Sequence, residues 1–132
     1  MLLEKEKENY DAFFIEGQGS LFHPAFSNTS ISLLHGAVPT HLVLVHRPAR
    51  KHSIGPKLVK LPSVTEAIEQ YERSVLPQYR NAKVVAIALN TSGMTADEIE
   101  KEIEQRSKET GLPVGDAVQN SEFIEETLEK IL

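Results

Sequence analysis

Apolar positions along this chain follow two spacings that take turns. Short unbroken apolar runs occupy residues 12–15 (A-F-F-I), 41–46 (H-L-V-L-V-H) and 83–89 (K-V-V-A-I-A-L). Runs of this length without polar alternation predict strands covered on both faces, as in a parallel sheet. Between them the spacing changes to three and four. Val64, Ala67, Ile68, Tyr71 and Val75 fall on one helical face. Ser63-Val64-Thr65-Glu66 opens that helix as a capping box, and Pro77 ends it. Thr95-Ala96-Asp97-Glu98 is a second capping box, for a helix that runs to about residue 109 and stops at Gly111. Asn120 or Ser121 caps a last helix, with Phe123, Ile124, Leu128 and Ile131 facing inward. A shorter helix over about 29–34, closed by Gly36, and a short strand over 112–114 complete the pattern. Residues 1–10 are rich in Glu and Lys. They read either as the end of a helix whose beginning is absent or as a frayed N-terminus.

Strand and helix therefore alternate through four rounds. The expected fold is α/β: a parallel sheet of about four strands with flanking helices, in three layers, as a single domain over 1–132. No internal repeat, low-complexity run or linker interrupts it.

Composition narrows the function classes. A formal charge of −5 argues against non-specific nucleic-acid binding, which needs a basic face. The chain has no cysteine, so disulfides, thiolate nucleophiles and zinc-finger patterns are excluded. No apolar run reaches membrane-span length, and M-L-L-E-K-E-K-E-N-Y is too charged for a signal peptide. The expected setting is the cytoplasm, with no membrane partner.

Chemistry gathers after the first apolar run. Glu16 follows it directly, with Gly17, Gln18, Gly19 and Ser20 behind and His23-Pro24 close by. Open α/β sheets bind ligands at the carboxyl ends of their strands, which is where Glu16 is expected. All five histidines, His23, His35, His41, His46 and His52, lie in one stretch of chain. His23, His46 and His52 are expected at the same edge as Glu16, His41 at the opposite edge and His35 on a helix. Their spacings match no metal signature, so no metal ligand is assigned. Arg47, Arg50, Lys51, His52, Lys57 and Lys60 make the 47–61 loop basic, which suits a phosphate or carboxylate or else a solvated charge run. Asn90 ends the 83–89 strand, where its amide suits a base such as adenine or simply forms a turn with Thr91 and Ser92. No G-x-x-x-x-G-K-[ST] loop and no G-x-S-x-G elbow occurs, so Ser20 is a weak nucleophile candidate.

These blocks carry a resemblance. E-G-Q-G-S-L-F-H-P-A-F-S, L-L-H-G, L-V-L-V-H-R-P-A-R, I-A-L-N-T-S and G-L-P-V, in that order, resemble the C-terminal P-loop-type domain of one bacterial and archaeal family. It was long a domain of unknown function (number sixteen-eleven) and is now associated with D-glutamate N-acetyltransferase. The resemblance implies a truncated P-loop NTPase fold, related to dethiobiotin synthetase, in a longer protein with an N-terminal Rossmann-like domain. The Rossmann-like part, the P-loop and its helix are missing from these 132 residues. By resemblance, Glu16 lies near Mg²⁺ and phosphate, and Asn90, with Thr91, Pro113 and Val114, lines an adenine pocket for acetyl-CoA or ATP.

Three readings follow. In the first, the chain is the C-terminal part of a D-glutamate N-acetyltransferase-like enzyme. Glu16, His23 and His46 are its acid/base candidates, and Gln18, Ser20, Arg47, Arg50 and His52 meet the acidic substrate or phosphate. In the second, it is a non-catalytic α/β module that needs a P-loop-bearing partner chain. The third, a metal-dependent hydrolase built on the histidines, ranks last. A cut sheet edge beside residues 12–15 leads to a further expectation: the chain self-associates or binds that partner chain.

Overall fold

The computed structural model describes residues 6, 8–52 and 59–132. Most of the helical reading for residues 1–10, and Lys57 of the basic loop, lie outside them. The elements run α1 (Ser27–Ala37), β1 (His41–His46), α2 (Val64–Ser74), β2 (Lys83–Leu89), α3 (Ala96–Thr110), β3 (Val114–Gly115) and α4 (Ser121–Ile131). The three strands form one parallel sheet in the order β1-β2-β3. The fold is α/β with helices on both faces.

The sidedness follows from strand alternation. Ile87 and Leu89 point to one face of β2, where they pack with Val64, Val114, Leu44, Ile68, Ile103 and Leu112. That face is covered by α2 and α3. Ala86 and Ala88 point to the other face and meet Phe123 of α4. Small alanines let that helix approach closely. Gly115 takes this to its limit: a Cβ there would lie 2.5 Å from Phe123 Cγ.

The helix ends are built as their sequences dictate. Ser63 and Thr95 accept from the backbone N–H of Glu66 and Glu98, and both glutamates reach back to the cap N–H at 2.8 Å. The Ser63 hydroxyl first and then its N–H hold the Glu66 carboxyl below its usual range, and the Thr95 N–H and then its hydroxyl do the same for Glu98. Asn120 caps α4 by accepting from Phe123 N at 3.1 Å. Glu72 of α2 accepts from Val84 N at 3.0 Å and pairs with Lys83 at 2.5 Å, which fastens the helix to the start of β2.

Three expectations need correction. Residues 12–15 form no strand; Phe13, Phe14 and Ile15 are solvent-exposed, Phe14 to 71%. A strand needs a ladder partner, and none of the described segments lies beside this one. The described sheet thus has three strands, not four. Next, β1 is not covered on both faces. Leu44 faces the helices, but Val45 is 73% exposed on the side that α4 leaves bare. Finally, α1 does not end at Gly36. It runs on to Ala37, and Val38 takes the left-handed cap at φ 46°, donating its N–H to Leu34 O. That conformation is costly for a β-branched residue.

Candidate active site

One large cleft opens beside β1, and its lining includes residues 12–16 and residues 41–47. Glu16, Ser20, His23, His46, Arg47, Arg50 and Asn90 all line it. The structure therefore brings most of the sequence-predicted candidates into one space. Its volume is about 2250 Å³, well beyond the roughly 300–1,000 Å³ of a small-molecule site.

The Glu16 end is organised by a tight turn. Gly19 sits at φ 86°, and a Cβ there would lie 2.9 Å from Phe26 Cβ. Only glycine fits that backbone without strain. Ser30 Oγ donates to Gln18 O at 3.0 Å, tying the turn to α1. Gln18 does not line the cleft. Ser20 Oγ accepts from Phe22 N at 3.2 Å. His23 Nδ1 accepts from Ala25 N at 3.1 Å, so the ring proton resides on Nε2, and the ring rests on Phe26. Glu16 itself is exposed.

The sheet edge supplies further lining residues. Asn90 N donates to His46 O at 2.8 Å, so these two strand ends are adjacent. The His46 ring, on the same strand face as Leu44, turns toward α3, and Nε2 lies 3.9 Å from Glu102. Burial, then the nearby Arg106 charge, holds this imidazole below its ordinary value. It is neutral at pH 7. Arg106 donates to Glu102 at 2.7 Å and to Glu109 at 2.6 Å. Burial opposes its charge, but those hydrogen bonds prevail and raise its pKa. Arg47 and Arg50 are exposed in the following turn, closed by Arg50 N to Arg47 O at 3.0 Å. His52 forms an isolated antiparallel bridge with Lys60; Lys60 lines the cleft and His52 does not.

The nucleotide candidates divide. Asn90 is exposed, with Oδ1 accepting from Ser92 N at 3.2 Å, which leaves its amide N–H₂ toward the cleft edge. Thr91 is buried and donates its hydroxyl to Asp116. Pro113 O accepts from Ile87 N at 2.9 Å, and Val114 is a core residue. The side chains of Thr91 and Val114 are thus committed to packing.

Two groups escaped the sequence reading. Asp116 follows β3 and accepts from Thr91 Oγ1, Val118 N at 2.8 Å, and the Gln119 backbone and side chain at 3.3 Å each. The Thr91 hydroxyl is the chief cause of its lowered pKa; the Val118 and Gln119 donors add to it, and burial opposes it only in part. Arg106 was legible as E-x-x-x-R-x-x-E, the helical spacing of paired charges. Among the described residues no group of three His, Asp or Glu side chains could hold a metal ion. His35 instead meets Ser74 O at 2.8 Å.

Comparison with known proteins matches this arrangement to a family. Residues 1–124 match the family model described as "Domain of unknown function (DUF1611_C) P-loop domain". A D-glutamate N-acetyltransferase from Pseudoalteromonas sp. is 34% identical over 117 residues, covering 89% of this chain and 35% of that protein. One of the same name from Tritonibacter scottomollicae is 31% identical over 113 residues, covering 86% and 33%. The crystal structure of a DUF1611 family protein from Anabaena variabilis superposes with a TM-score of 0.87 at 34% identity, covering 97% of this chain and 38% of that one. The chain spans about a third of the length of the curated relatives it matches. With nearly its whole length matched, this chain belongs to the DUF1611 family, in the part described as its P-loop domain.

Proposed function

We propose that this chain is the C-terminal part of an enzyme that transfers an acetyl group to the amine of an acidic amino acid such as D-glutamate. The observation that carries this reading is that Arg47, Arg50, His46, Asn90 and Glu16 all line one cleft. Two arginines without a burying shell suit a substrate that brings carboxylates or phosphate. The names of the relatives supply the reaction class. In that reaction the amine nitrogen bonds to the thioester carbonyl carbon and the carbon–sulfur bond breaks. The amine must first lose a proton. His46, held neutral by burial, and Glu16 are the groups able to accept it. His23, whose Nδ1 accepts from Ala25 N, is the remaining acid/base candidate of the cleft. Asn90 would read the adenine of acetyl-CoA or ATP. If Mg²⁺ takes part, it would neutralise phosphate charge, and Glu16 is a carboxylate in the cleft that could contribute to holding it.

The second reading, a non-catalytic module, is favoured by the lack of any G-K-[ST] motif in these residues. Steady-state acetylation of D-glutamate by the longer protein that includes this sequence tests the first. Arg47→Ala and Arg50→Ala should raise KM for the amino acid by about tenfold each, as expected for loss of a charged hydrogen bond, with smaller effects on kcat. An unchanged KM removes both arginines from the site. Full activity of the 132 residues alone would rule out the module reading.

A further inference from the structure

The side of α3 that meets the end of β1 carries a charge cluster that packing alone does not require. Glu102, Arg106 and Glu109 recur at intervals of four and three and so share one side of the helix. Arg106 donates to both carboxylates, at 2.7 and 2.6 Å. The ordinary surface pair of α2, Arg73 with Glu69, lies mostly in water at 78% and 66% side-chain exposure. Glu102 and Arg106 are only 15% and 19% exposed. One guanidinium against two carboxylates leaves this cluster one charge negative. A partly covered site with an unbalanced charge favours one more cation beside it.

His46 is the group beside it. Its Nε2 lies 3.9 Å from Glu102 Oε1, too long for a hydrogen bond but within ion-pair range. A neutral ring in this position keeps its proton on Nε2, toward the carboxylate, and its lone pair on Nδ1. Among the described residues nothing bonds that Nδ1. Nor is the atom sealed off: the buried, unpartnered ring nitrogen of the described residues is Nδ1 of His41, not of His46. His46 and Arg106 both line the cleft. A staple that only joined helix to strand would need no ring nitrogen left open beside a cleft. All the charges that act on the ring come from α3, while the end of β2 brings only the uncharged Asn90.

We propose that Glu102, fixed by Arg106, is the positioning residue for His46: it aims Nδ1 at the substrate amine and balances the charge the ring acquires. The proposal rests on reading the cleft as a site of acetyl transfer to an amine. The ammonium of the amino acid passes one proton to Nδ1. That N–H bond breaks, its electron pair stays on the nitrogen, and the nitrogen attacks the thioester carbonyl. The second proton it sheds leaves with the sulfur as thiol, and the imidazolium returns its own to water. Glu102 takes no proton; it orients the ring and stabilises the imidazolium. Opposing effects tune the base. Burial, then Arg106, keeps the resting ring neutral, while Glu102 and Glu109 favour its protonated form.

NMR titration of the His46 ring tests the pair, in the longer protein that includes this sequence and without substrate. The signal is identified by its loss in His46→Gln. Glu102→Gln keeps the shape of the side chain and can still accept from Arg106, so the fold should hold. His46 should then titrate at lower pH than in the parent, and Arg106→Gln should move it the other way. In steady-state acetylation of D-glutamate, Glu102→Gln should lower kcat about tenfold, a part of the roughly 10²–10⁴-fold that a positioned base contributes. The acidic limb of the kcat/KM profile should move to lower pH along with the ring. Shifts of the same sign in both variants would overturn the proposal, since a loosened staple wets the ring and raises its pKa either way. A ring that moves in neither variant would overturn it too. So would opposite shifts with an unmoved rate profile, by removing His46 as the base. A parent that does not acetylate D-glutamate would overturn the reading of the cleft and the proton step with it, while the titrations decide the pairing of Glu102 with His46 by themselves.

Discussion

Asp116 shows how much one carboxylate organises here. It joins the turn after β3 to the turn after β2 through Thr91, which sets the position of the neighbouring Asn90 at the cleft edge. Its carboxyl is held below the usual range, mainly by the Thr91 hydroxyl. The sign of the pH effect follows. A depressed folded-state value means the unfolded chain takes up the proton first as pH falls. The stabilisation is complete above about pH 4, the ordinary carboxylate value, and is lost as pH falls through the lower folded value. Asp116→Asn should therefore cost about 1–3 kcal/mol near neutrality, the penalty for poorly satisfied buried partners. Urea melts of parent and variant should converge below pH 4. A gap between them that does not change with pH would mean that charge plays no part in the clamp.

At the scale of elements, the tightest joint is α4 on β3. Gly115→Ala drives a Cβ to 2.7 Å from Phe123 Cβ, an atom that cannot rotate away. Either α4 shifts or β3 bends. The expected cost is about 1–3 kcal/mol by urea denaturation. Phe123→Ala, which removes the Cγ at 2.5 Å, should be less harmful in the Gly115→Ala background than alone, because neighbouring changes that share one clash do not add. Strict additivity would show that the helix slides freely. This joint was not legible in the sequence, where V-G-D reads only as a strand running into a turn. Other joints were. The bounds of β1 and β2 follow directly from their apolar runs, and both capping boxes from four residues each, because those signals are local. Residues 12–15 carry the same local signal as β1 and still form no strand, because pairing depends on a neighbour that pattern alone cannot supply. The Gly36 stop failed for a related reason: α1 gains one more turn and passes the left-handed position to Val38. For the site, His46, Arg47, Arg50 and Asn90 follow from strand order, whereas Glu16 lines the cleft without ending a strand. The inward turn of Thr91 and the partners Asp116 and Arg106 come from packing between distant segments.

On the scale of the whole molecule, the open cleft governs stability. Phe13, Phe14, Ile15 and Val45 are exposed, and each forfeits up to about 1.5–3 kcal/mol of burial. Together they rival the 5–15 kcal/mol that holds a typical domain. The denaturant slope carries a separate signature. Unfolding exposes the difference between native surface and an unfolded surface of about 21,000 Å² for this mass. With 9207 Å² already exposed, that difference is about one-sixth smaller than for a compact chain, and the urea m-value scales with it. The isolated chain should therefore unfold with a low midpoint and an m-value about 15% below that of compact domains of equal length. Equilibrium urea unfolding followed by far-ultraviolet dichroism measures both, as the chain has no tryptophan to report. An isolated chain with the slope and midpoint of a compact domain would mean that the exposed apolar side chains of the cleft close on each other in solution.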